Sequence, residues 1–506
     1  MPSRSLSAAA PLAAIDMGSN SFRLEIARLQ QGRYKRILYL KETVRLGGGL
    51  DADSNLTEAA VQRGLDCLQC FAGHLQDLEP GQVRAVATQT LREARNRDAF
   101  LARGQAALGH AIEVVSGREE ARLIYAGVSY LQPSDTPRLV VDIGGRSTEL
   151  IIGQGRVARV AESFKVGSVS LSMRWFPDGV FTEQRFRDAQ VAAGAELEEA
   201  LAPFAASQWR EALGSSGTAG AVSQVLAAAG LSDGTISPDG LRWCIAQCLA
   251  AGSVDRLVLP TLREDRKAII GGGLALLYTL ATHFGIQALK PAKGALRQGV
   301  IIDLHERHAA RRQASGSDLR DQTVAALQAR FEVDTLQAQR VRGLALRLFR
   351  QLRPDALDDD DGEARRELGW ACDLHEIGLM VSHHDHHRHS AYLLRHADAP
   401  GFSQSQQQRM ADMVLAQRGG LRKIEAQLDG RLFPWQVLAL RLAAIKCHAR
   451  GEVDASALRV QAEGLQARLS ASPGWGASHP RTLHLLREEA DDWARVNSLR
   501  LLLPGS

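Results

Sequence analysis

Two stretches, IDMGSNSFRLEIA at Ile15–Ala27 and VDIGGRSTELIIG at Val141–Gly153, carry residue types that handle phosphate. They align without a gap: Asp16 with Asp142, Gly18 with Gly144, Ser21 with Ser147, Leu24 and Ile26 with Leu150 and Ile152. Each reads as strand, tight turn and strand, with apolar residues at period two after the turn. Successive N–H groups in a glycine-rich turn converge on an anion. Ser19, Ser21, Ser147 and Thr148 add hydroxyls, and Asp16, Asp142 and Glu149 are suited to a hard cation such as Mg²⁺, directly or through water. A single glycine turn is commonplace. A matched pair points to two related domains facing each other across a cleft, where small ligands bind.

Arg146 in the second stretch stands where Asn20 stands in the first. If the turn needs a left-handed residue there, arginine costs on the order of 1 kcal/mol, which the turn tolerates. Whether the side chain grips phosphate or points to solvent is open from sequence. A third candidate loop, GSSGTAGAV at Gly214–Val222, places Gly217 and Thr218 before an apolar helix whose N-terminus favours anions. The alternative is a plain turn with a threonine cap.

SGREEARLIYAGV opens a helix with Ser116 three residues before Glu119, a capping box that occupies Glu119. Glu120 has no capping duty and is the candidate base for activating a water; an exposed glutamate is the alternative. ATQTLREARN has the same form, with Thr90 and Glu93 as a second capping box and Arg92 in the first turn. A cation there opposes the helix dipole. Gripping a substrate phosphate would account for it, as would simple exposure. The histidine-dense run DLHEIGLMVSHHDHHRHSAYLLRH, holding His375, His383, His384, His386, His387, His389 and His396, has no established metal-ligand spacing. It reads as a loop beside a helix.

The elements that must position these residues alternate from Leu12 to about Gln132: LAAIDMG, SFRLEIARL and VRAVAT as strands, with helices around Thr57–Leu78 and Thr90–Leu108. From Pro133 the pattern restarts with RLVVDIGG and TELIIG and continues through longer helices to about Leu304. The expected organisation is a disordered N-terminus (1–11), α/β domain I (12–132), α/β domain II (133–304), a polar linker (305–320) and a helical domain with C-terminal extension (321–506). An acidic loop, DALDDDDGEA at Asp355–Ala364, reads as solvated.

At 506 residues, 45% hydrophobic and 23% charged, the chain suits several domains of ordinary globular type. A net charge of +4 implies no nucleic-acid partner and no strong membrane partner. Arginine greatly outnumbers lysine, which suits phosphate binding, although a genome-wide codon bias is the better explanation. Six cysteines form no framework; Cys67 and Cys70 read as a buried helical face, and the expected compartment is reducing and cytoplasmic. MPSRSLSAAAPLAAI has signal-peptide character, but cleavage there would fall at or inside the first strand. The uncharged run 268–289 (three consecutive glycines, two threonines and His283) reads as a buried helix rather than a membrane span, so the chain reads as soluble.

Taken together, DMGSNSFR, ATQTLREARN, VVSGREEARLIYAGV, VDIGGRSTEL, FKVGSVSL, GSSGTAGAV, GALRQGV, and LHEIG with HRHSAYLL closely resemble the exopolyphosphatase and guanosine pentaphosphate phosphohydrolase family. That family lies in the actin-like ATPase superfamily. The resemblance implies a duplicated ribonuclease-H-like (actin-like) α/β N-terminal half and an all-α HD-like C-terminal half. It implies that Glu120 is the catalytic base, that Asp142 and Glu149 organise Mg²⁺ and the attacking water, and that Asn20, Ser21, Arg92, Gly144, Gly145 and Ser147 grip phosphate. Asp16 as a further metal ligand and Gly217 and Thr218 as the closing loop are read from the residues alone. Family members carry a small residue where this chain has Arg146, and working HD phosphohydrolases carry His-Asp where this chain has His375-Glu376. The leading expectation is a Mg²⁺-dependent exopolyphosphatase acting on inorganic polyphosphate. The alternatives are a phosphohydrolase converting pppGpp to ppGpp, a non-catalytic polyphosphate- or nucleotide-binding regulator, and an ATP-hydrolysing or kinase member of the superfamily. A homodimer is implied by analogy with long family members, and peripheral membrane contact stays open.

Overall fold

A computed structural model describes residues 10–312, 318–354, 362–452, 454, 458–472 and 474–503. The chain divides into two compact units, 5–316 and 317–506. The expected disordered N-terminus lies, up to residue 9, outside the described residues, as does the expected acidic loop over 355–361.

The first unit contains two five-stranded sheets of identical topology. In the first, β1 (Leu12–Met17), β2 (Phe22–Gln30), β3 (Arg33–Glu42), β4 (Val83–Ala87) and β5 (Ile112–Val114) lie in the order β3-β2-β1-β4-β5. In the second, β6 (Arg138–Ile143), β7 (Thr148–Gln154), β8 (Val157–Phe164), β9 (Glu211–Gly214) and β10 (Leu289–Pro291) lie in the order β10-β9-β6-β7-β8, so each strand has its counterpart in the first sheet. The first three strands of each set are antiparallel and the last two join in parallel. Even the irregularity is repeated: pairing shifts at Ile26/Ala27 in β2 and at the matching Ile152/Gly153 in β7. The repeat seen in the sequence is thus a repeat of whole sheets.

Apolar layers follow from the alternation. Ile15, Met17, Phe22 and Leu24 pack on α1 (Glu58–Ala72) and α3 (Arg97–Leu108) on one side of the first sheet. On its other side, Ala14 and Val86 share a core with Val140, Ile151 and Leu213 of the second sheet. Two helices fill that shared layer, α4 (Gly117–Leu131) and α10 (Leu296–Arg312). A Cβ on Gly299 would run into the Leu123 carbonyl oxygen, so glycine at this place lets α10 approach the α4 backbone. The far side of the second sheet is covered by α5 (Ser168–Trp175), α6 (Glu183–Leu197), α7 (Gly217–Ala228), α8 (Pro238–Ala251) and α9 (Glu264–His283). The run considered for a membrane span is largely α9, whose glycines and leucines are buried there. No helix among the described residues is long and apolar enough to cross a membrane.

Three expectations are corrected in this unit. The helix expected over Thr90–Leu108 is two: α2 (Gln89–Glu93) and α3, broken at Ala94, whose backbone is extended. The break is held by Asn96, whose side chain bonds both the N–H and the carbonyl of Leu56 at 2.9 and 3.0 Å. The expected linker 305–320 is helical through Arg312 and again from Leu319, while 313–317 lie outside the described residues. Its polar character misled because polar side chains are buried with partners: Arg307 with Asp303 at 2.7 Å and His308 with the Gly81 carbonyl at 2.7 Å. Finally, Cys67 is buried and Cys70 exposed, so the pair does not share one buried face.

The second unit is built on α11 (Leu319–Arg330), α12 (Thr335–Leu352), α13 (Glu363–Asp373), α14 (His386–His396), α15 (Gln404–Ala416), α16 (Phe433–Lys446), a short α17 (Trp475–Ser478) and α18 (Pro480–Ala494). It is not all-α. Strands β11 (Leu458–Glu463), β12 (Gln466–Ala471) and β13 (Arg500–Leu502) form a small sheet. LRVQAEGLQARLSA alternates apolar and polar residues around Gly464, and Val460, Ala467 and Leu469 join the helical core from one face.

Candidate active site

The turns of both hairpins open into one cavity of about 360 Å³. Asp16 and Asp142 end equivalent central strands, and Asn20, Ser21, Gly144, Gly145, Ser147 and Glu149 line the wall with them. Gly217 and Thr218 are on the wall too, at the start of α7. Ser216 caps that helix, accepting from the Ala219 N–H at 3.0 Å, so the positive end of the helix faces the cavity. Of the sequence candidates Asp16, Asn20, Ser21, Glu120, Asp142, Gly144, Gly145, Ser147, Glu149, Gly217 and Thr218, all are on this wall. Arg92 is not.

Glu120 reaches the cavity from the first turn of α4, fixed there because Ser116 accepts from the Glu119 N–H at 3.2 Å. Its neighbour Glu119 is turned away into a paired contact with Arg122 at 2.7 and 2.8 Å. Glu120 is buried, and burial raises its pKa to about 6 against the opposing pull of Arg92, while Asp16 and Asp142 push it further up. A carboxyl so placed ionises near neutrality and is matched to accepting a proton. Burial likewise raises Asp142, and raises Glu149 well above the carboxylate range with Glu120 and Asp142 contributing. Ser215 donates to Asp142, and Ser163 to Glu149 at 2.7 Å.

Arg92 stands behind Glu120. Nη1 donates to Glu120 Oε2 at 2.8 Å and to the Val115 carbonyl at 3.0 Å, and both Nε and Nη2 donate to Gln89 Oε1. It is neither solvent-exposed nor on the cavity wall, and it lies in the last turn of a short helix rather than the first. The second capping box is absent. Thr90 donates to Ser19 Oγ at 2.8 Å instead, and Glu93 accepts from Gln89 and Arg146.

Arg146 also departs from expectation. Neither it nor Asn20 has a left-handed backbone, so the anticipated strain does not arise. Its side chain goes neither to phosphate nor freely to solvent but to Glu93 Oε2 at 2.9 Å and the Gly47 carbonyl at 3.3 Å.

The cavity also holds cations that the sequence reading missed: Arg23, Lys41, Arg263, Arg266 and Arg297. Arg23 pairs with Asp16 at 3.1 Å. Burial and the nearby Arg266 and Arg23 lower the Lys41 pKa; burial and Arg23 lower that of Arg266. Lys41 and Arg266, both weakened as cations beside Arg23, gain from a bound anion. Gly217 leaves the room that the Arg266 guanidinium occupies, since a Cβ there would collide with it. Arg23 and Arg297 lie within motifs already singled out; Lys41 and Arg266 carry no local signal.

Asp16, Asp142 and Glu149 were expected to share a metal ion. Among the described residues no three His, Cys, Asp or Glu side chains are placed to hold one together. The donor set that remains, half-buried Asp142 and buried Glu149 on the cavity wall, fits Mg²⁺, which binds through one or two carboxylates, water and substrate oxygens. The histidine run gives no such fit. Among the described residues none of its side chains joins a group of three His, Cys, Asp or Glu placed to hold an ion.

A duplicated α/β unit with a buried carboxylate, paired glycine turns and a cationic wall in one cleft defines an enzyme that acts on phosphate chains. Comparison with known proteins is narrower. Residues 25–308 match the model of the Ppx/GppA phosphatase family and residues 319–490 that of Ppx/GppA phosphatase, domain III. The chain is similar to the guanosine-5'-triphosphate,3'-diphosphate pyrophosphatase of Aeromonas hydrophila subsp. hydrophila, 35% identical over 95% of this chain and 96% of that one. A protein of the same name from Vibrio vulnificus is 36% identical over 95% of each chain. Among solved structures, an exopolyphosphatase-like protein matches with TM-score 0.52 and 26% identity, covering 59% of this chain and 98% of the other. An exopolyphosphatase from Cytophaga hutchinsonii matches with TM-score 0.53 and 24% identity, over 59% and 98%. The chain belongs to the Ppx/GppA phosphatase family.

Proposed function

We propose that the protein hydrolyses the terminal 5'-phosphoanhydride of pppGpp, releasing orthophosphate and ppGpp. The observation that carries the reaction is Glu120, buried on the wall of a cavity that both hairpins also line. The substrate assignment rests on the relatives that span nearly the whole chain, both named for a guanosine 5'-triphosphate 3'-diphosphate.

In this reading the terminal phosphoryl group sits among Asn20, Ser21, Gly144, Gly145 and Ser147, with Gly217 and Thr218 at its flank. Glu120 orients a water for in-line attack and takes its proton. Arg92 keeps Glu120 charged and in place, and Arg23, Lys41, Arg266 and Arg297 hold the remaining phosphates. Bound through Asp142 and Glu149, Mg²⁺ would neutralise charge on the phosphate oxygens. Catalysis then comes mainly from positioning and electrostatic stabilisation.

The second reading is exopolyphosphatase activity, favoured by the run of cations along the cavity, which would follow a phosphate chain of any origin. The regulator reading drew on Arg146, which is turned away from the cavity and so no longer motivates it. The helical unit is taken as HD-like on its domain III match, with no metal role for His375-Glu376, which join no group of three ligands among the described residues. A location in the reducing cytoplasm fits the six free cysteines, and a homodimer rests on the likeness to long family members alone. The test is phosphate release by wild type and Glu120→Gln, with pppGpp and long-chain polyphosphate in parallel. Release that needs Glu120 is expected, with the larger kcat/KM for pppGpp. Release that survives Glu120→Gln would reject the assignment.

A further inference from the structure

Arg146 is tied to Glu120 by an unbroken chain of hydrogen bonds. Arg146 Nε donates to Glu93 Oε2 at 2.9 Å, and Gln89 Nε2 donates to the other oxygen of Glu93 at 2.6 Å. Gln89 Oε1 accepts from Arg92 Nε and Nη2 at 2.9 and 2.7 Å, and Arg92 Nη1 donates to Glu120 at 2.8 Å. Of these five residues only Glu120 is on the cavity wall. A second anchor joins the two turns: Arg146 Nη1 donates to the Gly47 carbonyl at 3.3 Å, and the Gly47 N–H donates to the Ser19 carbonyl at 2.8 Å.

Each link has a chemical reason. An amide side chain offers an oxygen on one side and an NH₂ on the other. Gln89 presents its oxygen to Arg92 because Glu93 supplies an acceptor for its NH₂. Glu93 is also the chain neighbour of Arg92, and as a free carboxylate it would compete with Glu120 for that guanidinium. Arg146 takes up one Glu93 oxygen and cancels its charge, which would otherwise repel a polyanion entering the cleft.

We propose that Arg146 is a positioning residue for phosphoanhydride hydrolysis, fixing Arg92 against Glu120 through Glu93 and Gln89. This rests on the phosphohydrolase reading above. It gives the one unusual residue of the second phosphate turn a task in the reaction, exercised from outside the cavity.

The test compares wild type, Arg146→Ala, Arg146→Lys, Glu93→Gln and Arg92→Lys, with the double variants Arg146→Ala/Glu93→Gln and Arg146→Ala/Arg92→Lys. Steady-state phosphate release from pppGpp and long-chain polyphosphate is measured, together with thermal unfolding of each ligand-free protein. The expected result is a drop in kcat of about 10-fold for Arg146→Ala at nearly unchanged KM, partly restored in Arg146→Lys. The Arg146/Glu93 double variant should be no worse than either single one, and Arg146→Ala should cost nothing further in the Arg92→Lys background. Wild-type kcat in Arg146→Ala, or losses that multiply in full with Arg92→Lys, overturns the proposal while leaving the phosphohydrolase reading intact. Should wild type release phosphate from neither substrate, that reading fails, and the unfolding data decide on the chain itself. Non-additive midpoints for Arg146 and Arg92 then support the connection, and strictly additive ones refute it.

Discussion

Arg23 and Glu149 occupy the same position of the duplicated hairpin: Arg23 is the strand partner of Asp16, and Glu149 is the strand partner of Asp142. Duplication has kept the backbone and inverted the charge. Residues directly opposed in an antiparallel pair project from the same face. Asp16 is therefore neutralised by Arg23 at 3.1 Å, whereas Asp142 faces a second carboxyl, the buried Glu149, whose pKa it pushes up. The first hairpin carries a cation at the position where the second carries a second carboxyl.

That asymmetry separates two variants. Glu149→Gln should raise the Mg²⁺ concentration needed for half-maximal phosphate release by about 10-fold or more. Arg23→Gln should raise KM and leave the Mg²⁺ requirement where it was. A Mg²⁺ titration of both variants decides, and equal shifts would reject the division of labour between the hairpins.

The burial that lifts Glu120 to about 6, against the pull of Arg92, sets a pH dependence. A base must be deprotonated to act, so kcat/KM should fall below about pH 6 and level off above it. A cation added beside the carboxylates favours their charged forms, so the acid limb should move to lower pH as Mg²⁺ is increased. Glu120→Gln should abolish the limb and lower kcat by about 10²- to 10⁴-fold. A limb that stays fixed across Mg²⁺ concentrations, or that survives in Glu120→Gln, would assign it to another group.

The cavity-lining residues were readable in sequence where the fold repeats a local pattern. Asp16 and Asp142 and the serines Ser21 and Ser147 share one register, and the repeat extends to the sheet order and the shifts at Ile26 and Ile152. What could not be read comes from contacts between distant segments. Lys41 and Arg266 reach the cavity from β3 and α9. Thr90 and Glu93 have the spacing of a capping box, yet Ser19 and Arg146 claim their side chains. Asn96, bonded to Leu56, breaks a helix that propensity alone would continue. In each case a tertiary partner outbid the local preference.

Packing gives a prediction independent of chemistry. Gly299 on α10 faces the Leu123 carbonyl, and a methyl group there has no room without parting α10 from α4. Gly299→Ala should therefore destabilise the protein by on the order of 3 kcal/mol, despite the better helix propensity of alanine. Denaturant unfolding checks this, and a neutral or stabilising effect would mean that the two helices separate at little cost.

The same two helices are held electrostatically through Asp303. Its carboxylate accepts from Arg84 at 2.7 Å and Arg122 at 2.6 Å and pairs with Arg307 at 2.7 Å, joining β4, α4 and α10. Burial acts to raise the Asp303 pKa, but the three guanidinium groups outweigh it and hold the carboxyl far below its usual range. A carboxyl depressed in the fold contributes stability that is complete above its unfolded value, near 3.9, and is lost only as pH falls through the folded value. Asp303→Asn removes the carboxylate that three guanidinium groups share, leaving Arg84 to Glu113 and Arg122 to Glu119, and should cost about 3 kcal/mol at pH 7. The cost should be the same at pH 5, because both pKa values lie lower. Unfolding midpoints of wild type and variant at the two pH values test the sign. A penalty that shrinks between pH 7 and pH 5 would mean that Asp303 already takes up a proton in that interval, contrary to a carboxylate held by three arginines.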